Sequence, residues 1–378
     1  MNKYRLFAPG PTMVPAEVMA ANASPQLHHR SPEFRAIYRE VTDNLAYVFQ
    51  TESDPLMFVS SGTGVMEATV ANLFSRGDRV AAVVAGKFGE RWRNIGRAYG
   101  LEVLSYELAY GETTDADAFR AWLGKQGDVK GILLTHSETS TGTFHDIRAV
   151  AEKVRDLGPL IVVDAVSSLG ALELKTDEWG LDAVASGSQK ALGCPPGVSF
   201  VALSERAWKA METADLPRFY WDFRANRKQL EAANSPLFTT ATSVVCALRE
   251  GLKRVREETI EGMTARHALL AEATRAGVLA IGCRLFSKCP SNAVTAVLPP
   301  EGLDVEEMRK IVRKDYGILF AGGQGEMMGK IFRIGHMGYF DRFDVITAIA
   351  ALESVFPRLG YPVEPGSGVR AAQEVLNA

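Results

Sequence analysis

The sequence predicts an α/β protein: a large domain on a mostly parallel, seven-stranded sheet flanked by helices, followed by a smaller α+β domain. Three observations carry that expectation. Seven short, nearly continuous apolar runs recur between Leu56 and Leu203, as the buried strands of a parallel sheet do. Helix-period patterns separate several of them, so the connections cross over instead of turning back as hairpins. Past Glu250 the pattern changes to one long helical stretch and then a looser alternation of strand and helix.

Taken in order, residues 1–20 read as an extended N-terminal segment containing Pro9-Gly10-Pro11. Ser31-Pro32 opens a helix, a capping serine with proline at the first helical position. Phe34, Ile37, Tyr38, Val41, Leu45, Val48 and Phe49 give that helix one apolar face. Strands are expected at 56–59, 80–84, 103–106, 131–134, 160–163, 183–185 and 198–203. Ile147, Val150, Ala151, Val154 and Leu157 mark a helix stopped by Gly158-Pro159. Residues 21–250 form the large domain and 251–378 the small one, with a helical stretch from about 244 to 276 bridging them. The small domain adds strands at 293–298 and 331–334 and helices at 305–316 and 343–355, and the tail from Pro362 reads as appended.

Composition narrows the function classes. Hydrophobic residues at 47% and charged residues at 23% suit a globular chain. A net charge of −3 gives no electrostatic footprint for nucleic acid, and no apolar stretch approaches the roughly 20 residues that cross a bilayer. Neither nucleic acid nor membrane is therefore expected as a partner. The N-terminus lacks the apolar core of a signal peptide. Cys194, Cys246, Cys283 and Cys289 form no CxxC pair and no metal spacing with histidine, so reduced thiols, a cytoplasmic location and no metal are expected. His28-His29 read as a solvated or capping pair.

Ligands of such sheets gather at the carboxyl ends of strands, and the chemistry-bearing residues fall there. Lys190 sits in Ser186-Gly187-Ser188-Gln189-Lys190-Ala191-Leu192-Gly193-Cys194-Pro195-Pro196-Gly197, with no other charged residue between Asp182 and Glu205. An ammonium among neutral, partly buried neighbours has a lowered pKa and supplies the free amine that imine chemistry requires. Asp164 ends the run Leu160-Ile161-Val162-Val163. It is either a cap for a following helix or a buried carboxylate suited to a charged partner such as a pyridinium nitrogen. A lysine for a Schiff base and a carboxylate for the ring nitrogen form the pair that pyridoxal 5'-phosphate needs.

Other segments leave two readings each. Ser61-Gly62-Thr63-Gly64, between a strand and an amphipathic helix, suits a phosphate dianion or a tight connection, and fails as a dinucleotide fingerprint. Phe88 either stacks on a flat ring or fills the core. The polar cluster His136 to Gly142 contacts a cofactor ring or makes a surface turn. Arg333, in Lys330-Ile331-Phe332-Arg333-Ile334-Gly335, shares a strand face with Ile331 and needs a carboxylate, from the protein or from a substrate.

Together with Pro9-Gly10-Pro11 and Val163-Asp164-Ala165-Val166-Ser167-Ser168-Leu169-Gly170, these segments resemble the class V aminotransferases of pyridoxal phosphate fold type I. The likeness is greatest to the alanine–glyoxylate / serine–pyruvate aminotransferase group and spans nearly the whole chain. It implies that Lys190 is the Schiff-base lysine and Asp164 the pyridinium partner. Ser61, Gly62 and Thr63 would bind the phosphate or flank the ring, with Gln189 on the phosphate and Thr139 on the ring hydroxyl. Phe88 falls where relatives stack an aromatic ring, often tryptophan. Gly10 and Arg333 would meet the substrate, Arg333 at its α-carboxylate. Thr239, in Leu237-Phe238-Thr239-Thr240, would reach the partner's phosphate in a homodimer with active sites at the interface. Two positions depart from the family: Thr63 stands where many relatives have histidine, and Asn234-Ser235-Pro236 lacks a tyrosine some use there.

The resemblance implies ping-pong transfer of an amino group from alanine or serine to glyoxylate or pyruvate. Alternatives are another donor (aspartate, 2-aminoethylphosphonate, ureidoglycine), a lyase or desulfurase using a cysteine such as Cys194, or a non-catalytic protein retaining the fold.

Overall fold

The computed structural model describes residues 3–378. All seven apolar runs are strands: β1 Leu56–Val59, β2 Arg79–Val84, β3 Glu102–Glu107, β4 Gly131–Thr135, β5 Leu160–Asp164, β6 Ala183–Gly187 and β7 Val198–Leu203. They form one sheet in the order β1-β7-β6-β5-β4-β2-β3. β7 runs antiparallel to both neighbours, and the other pairs are parallel. β4, β5 and β6 are buried at every position. Successive residues of a strand face opposite ways, so complete burial means that both sheet faces are covered, which is why these runs do not alternate. Six carboxyl ends open on one edge, and Thr135, Asp164 and Ala185 lie level there in the parallel register.

The helix Pro32–Phe49 starts as its sequence dictates: the Ser31 side chain accepts from the Phe34 amide at 3.3 Å. Phe34, Tyr38, Val41, Leu45, Val48 and Phe49 then lie in the core of the large sheet. A second core gathers Phe7, Leu270, Val297, Met308, Phe332, Val345 and Leu352. It lies on the four strands β8 Arg284–Leu285, β9 Val294–Leu298, β10 Ala321–Gly322 and β11 Phe332–Gly335, ordered β8-β9-β11-β10.

The N-terminal segment joins the two cores. Arg5–Leu6 pairs in parallel with Ile318–Leu319, and Phe7 enters the second core. The chain then crosses to the edge of the large sheet, and its extended part ends at Pro15, where the helix Ala16–Asn22 begins.

Two expectations are corrected. The long helix at 244–276 is two helices, Thr242–Glu258 and Ile260–Ala280, broken at Thr259 with φ 65°. Apolar periodicity runs through the break and conceals it, while the Thr259 hydroxyl caps the second helix by accepting from Gly262 N at 3.1 Å. The tail is docked, not appended. Its helix Ser367–Leu376 buries Gly368, Ala372 and Leu376. Glu353 accepts the amides of Gly366, Gly368 and Val369 at 3.0, 2.6 and 3.1 Å. Among the described residues no helix is long and apolar enough to cross a membrane.

Candidate active site

Lys190 follows β6 on the open edge, and the N-terminal segment folds over it. Its ammonium donates to the Pro9 carbonyl at 2.5 Å, while Thr12 donates its hydroxyl to the Lys190 carbonyl at 2.9 Å and its amide to the Gln189 carbonyl at 3.2 Å. Gly10 lies between them with φ +135°, and a Cβ there would come within 2.5 Å of Lys190 Cε. Only glycine lets the segment approach the amine so closely. Burial lowers the Lys190 pKa to about 8; Asp164 opposes the shift, and the guanidiniums of Arg333 and Arg91 add to it.

Asp164, 4% exposed, ends β5. One oxygen accepts from Val166 N at 2.8 Å, the other has no hydrogen-bond partner among the described residues, and no helix follows directly. The capping alternative therefore falls. Burial pushes its carboxyl up to about 6, against the Val166 hydrogen bond.

The helix Gly62–Leu73 starts after Ser61 without any side-chain cap, so its first amides are left for another acceptor. Ser61 is exposed and Gly62 buried beside it. The amide oxygen of Gln189 is buried without a partner. Phe88 is half-buried and belongs to neither core, so it does not fill the core.

Every residue from His136 to Gly142 is buried, so this segment is no surface turn. Thr139 lies within it, its hydroxyl making no hydrogen bond among the described residues, while its carbonyl accepts from Arg333 Nη1 at 2.7 Å. Arg333, 5% exposed on β11, also donates Nε to the Gly322 carbonyl at 2.8 Å. No carboxylate pairs with it. Burial lowers its guanidinium to about 10, with Glu138 opposing. Of the two partners foreseen for this arginine, a protein carboxylate is absent among the described residues, and Nη2 makes no hydrogen bond to them.

Thr239 is exposed, and among the described residues its hydroxyl makes no hydrogen bond. Cys194 is buried, donates to the Leu192 carbonyl at 3.3 Å, and has its thiol pushed up to about 12 by burial. It is no mobile nucleophile.

Sequence reading missed two charged residues. Arg91 lies one turn beyond Phe88 on the helix Lys87–Ala98. It donates to the Thr63 hydroxyl at 3.0 Å, lies 4.5 Å from the Phe88 ring centroid, and has no acidic partner among the described residues. The i, i+3 spacing of an aromatic and an arginine at a helix start was the available signal. Glu138 was read only as part of a polar cluster, yet it is one of the most buried carboxylates in the chain.

The residues present fit pyridoxal phosphate. They offer an amine of lowered pKa, a half-unpartnered buried carboxylate, an uncapped helix start and a half-exposed aromatic ring.

Comparison with known proteins agrees. The family profile described as Aminotransferase class-V matches residues 6–336. The chain is 42% identical to the "Soluble hydrogenase, small subunit" of Synechococcus sp. (strain PCC 6716), covering 100% of this chain and 99% of the relative. It is 37% identical to the L-aspartate–glyoxylate aminotransferase of Paracoccus denitrificans, covering 98% and 95%. The crystal structure of ureidoglycine–glyoxylate aminotransferase from Bacillus subtilis superposes with a TM-score of 0.94 at 31% identity, covering 100% of this chain and 99% of that one.

Proposed function

The chain belongs to the class-V aminotransferase family, a pyridoxal-phosphate-dependent group, and from that premise we propose that it moves the amino group of alanine or serine to glyoxylate or pyruvate in two half-reactions. The observation that carries the reading is Arg333: a buried guanidinium braced by two backbone carbonyls, with no protein carboxylate and a free edge. Glyoxylate stands in the names of two similar proteins, which favours it as acceptor.

Pyridoxal phosphate, when bound, supplies an aldehyde that takes up the amino group and a ring that accepts electrons from the substrate α-carbon. The rest falls to the chain. Arg333 binds the α-carboxylate and fixes which α-bond faces Lys190. Lys190 would take the α-proton and return it to the carbon on the far side of the transferred nitrogen. With its pKa lowered to about 8 by burial, far more of it is neutral near pH 7.5 than of an ordinary lysine. Asp164 holds a proton at the ring nitrogen, and the pair titrates jointly. The amides at Gly62 and Thr63, the Ser61 hydroxyl and Gln189 hold the phosphate. Thr139 would meet the ring hydroxyl, Phe88 would lie on the ring face, and Gly10 would admit the substrate beside Lys190.

Spectrophotometry tests this. Cofactor-loaded protein should lose its visible absorbance on adding alanine or serine and regain it with glyoxylate or pyruvate; colour that persists with every amino donor rejects transamination.

A second reading, aspartate as donor, is favoured by Arg91, a second guanidinium without an acidic partner. Since Arg91 hydrogen-bonds Thr63 at the uncapped helix start, we assign its charge to the phosphate end and keep the small donor first. The hydrogenase-subunit name of the Synechococcus relative finds no counterpart in side chains: among the described residues no three His, Cys, Asp or Glu gather where they could hold a metal ion. We also place the enzyme in the cytoplasm as a homodimer, with the exposed Thr239 serving the neighbouring site.

A further inference from the structure

Glu138 is 1% exposed and forms no ion pair, a costly place for a carboxylate unless donors surround it. They do. Oε2 accepts the amides of Phe88 at 2.9 Å and Gly89 at 3.1 Å. Oε1 accepts the Ser140 amide at 3.2 Å and the Ser140 hydroxyl. Burial pushes the carboxyl upward, and all four hydrogen bonds pull it back.

The first two amides are the second and third of the helix Lys87–Ala98, whose cap position, Gly86, has no side chain to offer. The first, Lys87 N, donates to Ser140 Oγ at 3.0 Å. Three orphan donors of this helix are thus satisfied by two side chains from a distant hairpin loop. Gly86 is where the carboxylate passes: a Cβ there would lie 2.5 Å from Glu138 Cδ. Phe88 leaves from the first turn of this helix and Arg91 from the start of the next. On the other side of Glu138 is Thr139, whose carbonyl holds Arg333.

We propose that Glu138 is a positioning residue for transamination: it joins the helix start bearing Phe88 to the loop bearing Thr139 and, through the Thr139 carbonyl, sets the Arg333 guanidinium. It touches neither cofactor nor substrate. The inference rests on the proposed function for its kinetic consequence only, since the junction itself is independent of the reaction.

Glu138→Gln keeps the shape and tests the junction, because an amide would turn an NH2 group toward two of the four donors whichever way it faced. In the cofactor-free protein the Phe88 and Gly89 amides should exchange hydrogen roughly tenfold faster, pyridoxal phosphate should bind roughly tenfold more weakly, and KM for alanine should rise by more than kcat falls. Ser140→Ala should move all three in the same direction by less. Parental exchange, cofactor affinity and KM in Glu138→Gln would overturn the proposal. So would faster exchange with parental affinity and KM, which shows a cap and nothing more. Should Glu138→Gln fail to fold, Ser140→Ala decides by the same measurements, parental values overturning the proposal. If the parent protein proves unable to transaminate, the function falls, while exchange and cofactor affinity still decide the junction.

Discussion

Arg333→Lys separates binding a substrate carboxylate from holding the fold together. Lysine keeps the charge but loses the planar fork that reaches the Gly322 and Thr139 carbonyls while presenting a free edge. Breaking a buried, hydrogen-bonded charge pair costs about 2–5 kcal/mol, and each 1.4 kcal/mol is about tenfold. The retained charge puts the expected loss near the lower end, roughly 30- to 100-fold. Glyoxylate carries a carboxylate too, so steady-state turnover would mix two effects. The first half-reaction alone, followed as loss of cofactor absorbance without acceptor, avoids this. Alanine should slow by roughly 30- to 100-fold, while ethylamine, which offers an amino group and α-protons but no carboxylate, should change by less than about threefold. Equal losses for both amines would refute the assignment and leave Arg333 as a brace between β11 and the Thr139 loop.

The remaining predictions concern charge and assembly. Without cofactor, burial raises the Asp164 carboxyl from 3.8 to about 6, so the folded chain binds more protons than the unfolded one and stability falls as pH rises through that window. Asp164→Asn should therefore stabilise the cofactor-free protein by on the order of 3 kcal/mol above pH 6, the gain fading below pH 4 in urea titrations, while its half-reaction slows roughly 100-fold or more. Arg91 helps hold the Lys190 amine near 8, so in Arg91→Gln the pH profile of amine modification should move upward; an unmoved profile places the Arg91 charge out of reach. Thr239→Ala should weaken cofactor binding by roughly tenfold in a protein that sediments as a dimer, and a fully active monomer would contradict the interface role.

What the sequence revealed and what it hid divide along a physical line. Buried strands announce themselves, because a strand covered on both faces has nowhere to put a polar side chain; β4 to β6 were legible for that reason. Lys190 and Asp164 were legible because each is the lone charge in an apolar or small-residue stretch. The break at Thr259 was not, since the helical period on either side stays in phase with one buried face. The docked tail and the junction at Glu138 share a device invisible to local patterns: a carboxylate from one segment caps a helix that begins far away in sequence. Capping is normally read from the residue just before the helix, and here those residues are Gly86 and Gly366, which carry no side chain.

The charges around Lys190 explain why such a site tolerates its own strain. Lys190, Arg91 and Arg333 face Asp164 and Glu138, and burial drives the lysine, Arg333 and both carboxyls toward neutrality. An arrangement made for stability alone would replace them with apolar side chains. Each becomes useful only with a ligand of matching charge: a phosphate dianion at the uncapped helix, a protonated ring nitrogen at Asp164, a carboxylate at Arg333. Glu138 is the exception, satisfied entirely within the chain, and by the proposal above it sets the Phe88 helix start and Arg333. The cofactor-free protein should accordingly gain stability on loading in proportion to how many of these groups are intact. Asp164→Asn should narrow the difference in thermal midpoint between loaded and cofactor-free protein by stabilising the cofactor-free form, and Glu138→Gln should narrow it by weakening the loaded form. A midpoint difference unchanged in both variants would show that the charges around Lys190 do not act through the cofactor.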